Sequence, residues 1–255
     1  MLLRFDANLR GQSFAALDPL VILTDIEETA AEADSETAKR ALHAGTRLTY
    51  SRRRQLSIRL KFVIREYSPA QRALLMDKVA DWVGDGGWLT LSTRPNQRLY
   101  VHPDGLPSMG SSLRWTDEME LTLTAYERPF FESRWASTAV ISDSGTIAMT
   151  GTVPEAYVEV DATNAGDGDL TTITLTCGAT SITLEDLQVA PGEHVRLYYT
   201  DRDVLVIEAA GESALSHRTA GSNDDLIAAT RSHTDIAVTA DQPVSAIFSA
   251  RGRWR

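Results

Sequence analysis

From residue 138 to the end the chain carries no 3.6-residue hydrophobic period, and this absence constrains the fold more than any other feature. The stretch is rich in Thr, Ser, Val, Ile and Gly. Turn-forming clusters interrupt it at Ser142–Gly145, Asn164–Asp169, Pro191-Gly192, Asp201–Asp203 and Ser222–Asp225. Such punctuation every ten to twenty residues or so suits an all-β sandwich. The strands expected between the turns are Ala156–Asp161, Thr171–Cys177, Thr180–Leu184, His194–Thr200, Val204–Glu208, Asp235–Thr239 and Val244–Arg251. In His194–Thr200, alternation puts Val195, Leu197 and Tyr199 on one face and Arg196 and Tyr198 on the other. Tyr198 is thereby a candidate exposed ring for stacking on a sugar.

The first half reads differently. Leu2–Asp6 and Leu20–Glu28 are strand candidates, and Glu32–Ala44 is read as a mobile loop or a short helix. Gln55–Glu66 alternates, with Leu56, Ile58, Leu60, Phe62 and Ile64 inward and Ser57, Arg59, Lys61 and Arg65 outward. One helix follows. Ser68 is its N-cap, Pro69 fits the first turn, Gln71 completes a capping box, and Leu75, Val79, Trp82 and Val83 form its apolar stripe up to the stop at Gly84. Trp88–Thr93 and Arg98–Val101 read as a hairpin bent at Pro95-Asn96, and Arg114–Tyr126 as another half-buried strand. Trp82, Trp88, Trp115 and Trp135 are all expected in packed positions. The composition shifts at Glu127-Arg128-Pro129-Phe130-Phe131, which divides the chain into residues 1–132, a β-rich domain with one helix, and residues 133–255, the all-β domain. The fold class expected is mainly β.

The formal net charge of −10 is unevenly placed: residues 1–132 carry 17 bases and 18 acids, residues 133–255 carry 8 and 17. The second half should be repelled by nucleic acid and by anionic membrane surfaces, so no specific nucleic-acid or membrane partner is expected. Within the first half, Asp25–Glu36 holds six acids and no base, and Thr37–Arg65 nine bases and no acid. Solvated strand faces produce such a pattern. So does a bipolar protomer whose acidic surface meets the basic ribbon of the next copy, as in a head-to-tail ring. On the second reading Glu27, Glu28, Arg52, Arg53, Arg54, Arg59 and Lys61 are the candidate subunit interface. Arginine dominates the bases, with only Lys39, Lys61 and Lys78 otherwise, which suits planar contacts between proteins.

Catalytic signatures are missing from the sequence. The histidines (His43, His102, His194, His217 and His233) have no metal-ligand spacing, and the one cysteine, Cys177, reads as a small strand residue. Gly211-Glu212-Ser213-Ala214-Leu215 fails the nucleophile-elbow pattern at its last position. Asn164–Asp169 lacks the spacing of a calcium loop and reads as a turn. No catalytic, metal or cofactor residue is assigned, and the chain is not read as an enzyme. Met1–Arg10 lacks a secretory pattern and no apolar run reaches the length of a membrane span, so synthesis in a cytoplasm is expected.

Three stretches together resemble the siphophage distal tail protein, the tail component of long, non-contractile phage tails. The first is Ile22-Leu23-Thr24-Asp25-Ile26 followed by the basic strand Arg53–Glu66. The second runs from Trp82 through Gly86-Gly87-Trp88-Leu89 and Thr93-Arg94-Pro95 to Arg114-Trp115-Thr116-Asp117 and Ala125–Phe130. The third is Gly221–Leu226 with Phe248–Trp254. The resemblance implies a homohexameric ring built by the N-terminal domain and a galectin-like C-terminal sandwich projecting outward. It implies a virion location at the tail tip, after synthesis in the host bacterium. The implied partners are the major tail tube protein, the tape measure protein and the tail-associated hub protein. The alternative is a carbohydrate-binding module that grips the host cell wall through the C-terminal sandwich. The chain has no room for the large carbohydrate-binding insertion that some relatives carry.

Overall fold

The computed structural model describes residues 5–29, 33–39, 46–53, 55–106, 118–201 and 203–254, the side chains of 33–39 and 46–53 excepted. The chain divides into two compact units, Met1–Phe131 with Arg255, and Glu132–Trp254. The fold is mainly β with one α-helix among the described residues.

The first unit contains β1 (Ala7–Leu9), β2 (Gln12–Ser13), β3 (Val21–Thr29), β4 (Ala33–Lys39), β5 (Thr46–Arg53), β6 (Leu56–Ile64), α1 (Pro69–Val83), β7 (Gly87–Leu91), β8 (Arg94–Pro103) and β9 (Met119–Ala125). One antiparallel sheet runs in the order β2-β1-β7-β8-β9-β6-β3, while β4 and β5 pair separately as a two-stranded ribbon. The alternation read along β6 is the one observed: Leu56, Ile58, Leu60, Phe62 and Ile64 are buried. Each such side chain contributes about 1.5–3 kcal/mol when fully removed from water. Opposite them, β9 buries Met119, Leu121, Leu123 and Ala125.

Ser68 caps α1, its hydroxyl accepting the Gln71 amide at 3.5 Å. The helix buries Leu75, Met76, Val79, Trp82 and Val83. Phe14 links helix and sheet by edge-to-face contacts, 5.0 Å from Trp82 and 5.5 Å from Phe62. At the helix C-terminus, Arg10 donates to the carbonyl of Trp82 at 2.8 Å, satisfying an orphan acceptor and placing a cation at the negative end of the helix dipole. The turn into β7 requires glycine: Gly86 has φ +86°, and a Cβ there would lie 2.1 Å from the Val101 carbonyl oxygen.

The second unit begins within β10 (Phe131–Ser133) and continues through β11 (Ser137–Ile141), β12 (Ser144–Ala148), β13 (Glu155–Asn164), β14 (Ile173–Cys177), β15 (Thr180–Leu184), β16 (His194–Tyr199), β17 (Leu205–Ala209), β18 (Glu212–Ser213), β19 (Ile227–Ala229), β20 (His233–Ala240), β21 (Val244–Ala250) and β22 (Arg253–Trp254). One sheet runs β11-β21-β13-β16-β17-β18, with β19 also on β13, and the other runs β12-β20-β14-β15. Val158, Val195, Leu197, Ile207 and Phe248 of the first sheet share a core with Ile147, Leu175, Cys177, Ile182 and Ile236 of the second. Two sheets burying their inner faces on one another make a sandwich.

Several details differ from the sequence reading. Ala33–Lys39, expected as loop or short helix, is a strand, because cross-strand pairing with Thr46–Arg53 overrides its Ala-rich composition. The β7–β8 hairpin turns at Ser92-Thr93, since Leu91 pairs with Arg94, and Pro95-Asn96 lie inside β8. Trp135, expected in a packed position, is 62% exposed, with the Arg134 guanidinium 5.1 Å from its ring. Trp88 is half-buried rather than enclosed, with the Arg98 guanidinium 3.7 Å above its ring. Residues 2–4, 40–44, Arg54, Arg114 and Trp115 lie outside the described residues.

Candidate interface and binding surfaces

The candidate interface residues collect around β3 and β6. These strands pair antiparallel, with Glu27 opposite Arg59 and Asp25 opposite Lys61. A β-bulge between Leu23 and Asp25 decides which side chains reach the core. Val21 and Leu23 are buried; past the extra residue, Thr24, it is the half-buried Ile26 and the exposed Glu28 that stand opposite the buried Leu60 and Ile58, while Asp25 and Glu27 stand opposite Lys61 and Arg59. The Thr24 hydroxyl, with one proton to share, lies 2.9 Å from the Lys61 carbonyl oxygen and 2.5 Å from a Glu118 carboxylate oxygen.

The outward charges therefore meet one another within the chain. Lys61 donates to Glu27 and lies 3.9 Å from Asp25. The bond to Glu27 outweighs partial desolvation and raises the Lys61 ammonium above its ordinary value. Arg59 lies 3.5 Å from Glu120 on β9. Within β6, Arg59 and Lys61 are thus flanked on both sides by acids: Asp25 and Glu27 on β3, and on the other side Glu120 of β9 with Glu118 just before it. These pairs are half-exposed, so each contributes little to stability. Glu28 has a different role. It faces the core side of the sheet and takes the Arg94 guanidinium in a bidentate grip, with 2.9 Å from Nε to each carboxylate oxygen and 2.7 Å from the second amine. Arg94 in turn lies 4.4 Å from the centre of the Phe131 ring. Arg52 and Arg53 are placed in β5 opposite Asp34 and Ala33, and their side chains are outside the description.

Among the described residues, β3 is the last strand of its sheet, and nothing pairs with its outer edge. A nine-residue edge presents unpaired backbone groups that another strand can match.

In the second unit, β16 turns His194, Arg196 and Tyr198 to the outer face of its sheet. Their neighbours are Asp161 and Thr163 on β13 and Glu208 on β17. Asp161 binds His194 Nδ1 at 2.7 Å and Arg196 Nε at 3.3 Å. The Tyr198 hydroxyl donates to Glu208 at 2.8 Å, which holds the phenol above its ordinary value. Sequence alternation found Tyr198 and Arg196; it could not find Asp161 and Glu208, which pairing brings in from other strands.

Other singled-out residues are structural. Cys177 is buried, and desolvation pushes its thiol up to about 11. Asn164 locks the turn it begins, its side-chain amide donating to the carbonyls of Gly168 and Val189. Among the described residues, no three His, Cys, Asp or Glu side chains are grouped to hold a metal ion. No helix there is long and apolar enough to cross a membrane.

No protein-family model and no curated protein matches the sequence. Solved structures do match. The crystal structure of the Dit protein of phage SPP1, described as a paradigm of the hub adsorption apparatus in phages infecting Gram-positive bacteria, aligns over 97% of this chain and 98% of its own, at 12% identity and TM-score 0.72. A chain of the phage P2 baseplate in its activated conformation with Ca aligns over 99% and 98%, at 9% identity and TM-score 0.57. The same baseplate with Sr aligns over 97% of both chains, at 10% identity and TM-score 0.55. The likeness read from the sequence extends to three dimensions, and through both of its units this chain has the fold of the SPP1 Dit protein.

Proposed function

We propose that this chain is a structural component of a bacteriophage tail tip, a distal tail protein whose copies close into a hexameric ring. The observation that carries the reading is the end-to-end likeness to the SPP1 Dit protein, a helix-bearing β unit followed by a β-sandwich, with almost nothing left over in either chain. On this reading the ring joins the tail tube to the adsorption apparatus, with the major tail tube protein, tape measure protein and tail-associated hub protein as neighbours. The N-terminal unit builds the ring and the galectin-like sandwich projects from it. The role is mechanical rather than catalytic.

The ring contact is assigned to the open edge of β3 and to the basic segment Arg52-Arg53-Arg54. Arg59, Lys61, Glu27 and Glu28 already have partners within the chain, so they shape and stiffen this edge rather than supply free charge. Size-exclusion chromatography with light scattering tests the assembly. A mass six times the 28.0 kDa of one chain is expected, and a strict monomer at high micromolar concentration overturns the ring. A second reading, carbohydrate binding by the C-terminal unit, is favoured by the polar cluster around Arg196 and Tyr198.

A further inference from the structure

The outer face of β13, β16 and β17 carries an ordered set of planar polar groups beside a cleft. The cleft has a volume of about 240 Å³ and is lined by Gly192, Glu193, His194, Arg196, Glu208 and the Ala210-Gly211 turn. At Gly192 and Gly211 an added Cβ would meet nothing within 4 Å, so both ends open to solvent beside bare backbone. Arg196 and Glu208 stand directly opposite each other in register, which separates their Cβ atoms by about 5 Å. Each is pinned from its far side, Arg196 by Asp161 and Glu208 by Tyr198. Both still reach solvent: the Arg196 side chain is 53% exposed.

We propose that this cleft binds a neutral saccharide through a vicinal diol. A guanidinium donates to two hydroxyl oxygens in one plane, and a carboxylate opposite it accepts from those same hydroxyls. One donor-only and one acceptor-only group, fixed side by side, match the paired character of a diol. The local charge excludes an anion: Asp161, Glu193 and Glu208 outnumber Arg196, with His194 available as an additional polar contact. Beyond Glu208 on β17, the half-exposed Val206 stands opposite the Tyr198 ring, with the exposed Val204 following, which gives an apolar shelf for the C–H face of a pyranose. The proposal deepens the second reading above and does not depend on the ring.

The test is saturation-transfer NMR on the full chain with three neutral probes, the methyl glycosides of glucose, galactose and N-acetylglucosamine, and with glucuronate as the anionic probe. At least one neutral glycoside receives transfer. That transfer falls at least tenfold in R196M and in E208Q, both of which retain the circular dichroism and Tm of the parent, and glucuronate receives none. No transfer to any of the three neutral probes overturns the site, as does transfer that survives both substitutions. Equal transfer to glucuronate overturns the ligand class. Because binding is read on the chain whatever its oligomeric state, failure here leaves the light-scattering result untouched.

Discussion

Replacing Arg253 by methionine is expected to destabilise the second unit strongly. The Arg253 side chain is 10% exposed and lies 3.5 Å from Glu132, itself 4% exposed, and 3.5 Å from Asp203. Its guanidinium sits 4.5 Å from the centre of the Tyr157 ring, and Tyr157 stacks on Tyr199 at 4.4 Å. The arginine therefore fastens the last strand of the chain to the first residue of the unit. Methionine fills much of the same volume but removes a cation from beside the buried Glu132 carboxylate. Breaking a buried pair from one side costs about 3–5 kcal/mol. At roughly 4 °C per kcal/mol for a unit of this size, the midpoint should fall by about 12–20 °C. Scanning calorimetry of R253M, E132Q and the double variant forms the cycle. Neutralising both partners should recover more than half of the loss, because the residual charge is then gone. A loss below about 1 kcal/mol in R253M, or a double variant as damaged as the sum of the singles, would show that Arg253 and Glu132 are not coupled.

Other consequences are open to direct measurement. With its thiol pushed up to about 11, Cys177 has roughly a thousandth of its population as thiolate at pH 8, so labelling by a disulfide reagent should be at least a hundredfold slower in the native chain than in denaturant; equal rates would place it outside the core. Burial raises the Tyr199 phenol above its ordinary value, so it stabilises the fold fully below about pH 10 and progressively less as pH rises beyond that. Unfolding curves between pH 9 and 12 should therefore be steeper in pH for the parent than for Y199F, and identical curves would contradict the assignment. Charge reversal of Arg52, Arg53 and Arg54 together should weaken self-association more at low salt than at high salt, as read by sedimentation velocity; an effect independent of salt would remove these residues from the contact.

What the sequence disclosed, and what it withheld, follows from the range of the forces involved. The β6 strand and helix α1 were legible because burial imposes its period on neighbouring residues and because the Ser68 cap acts within one turn. The inner and outer faces of β16 were legible for the same reason. Ala33–Lys39 misleads because its composition speaks for itself while its conformation is set by a partner strand. The bulge at Leu23/Asp25 leaves no sequence mark, yet it decides that Ile26 pairs opposite the buried Leu60 and Asp25 opposite Lys61. The charges show the same limit. Acid and base segments appear as separate blocks along the chain, but antiparallel pairing interleaves them, and Glu28 finds Arg94 across 66 positions. The Asp161–Arg196–Glu208 row likewise exists only once three strands lie side by side.

On the proposed reading, copies of this chain close edge to edge into a ring. Two-dimensional class averages of the purified full chain by electron microscopy test it most directly. Annular particles with six equivalent subunits around a central opening are expected. Fields of separate particles, each the size of one two-unit chain, would contradict it.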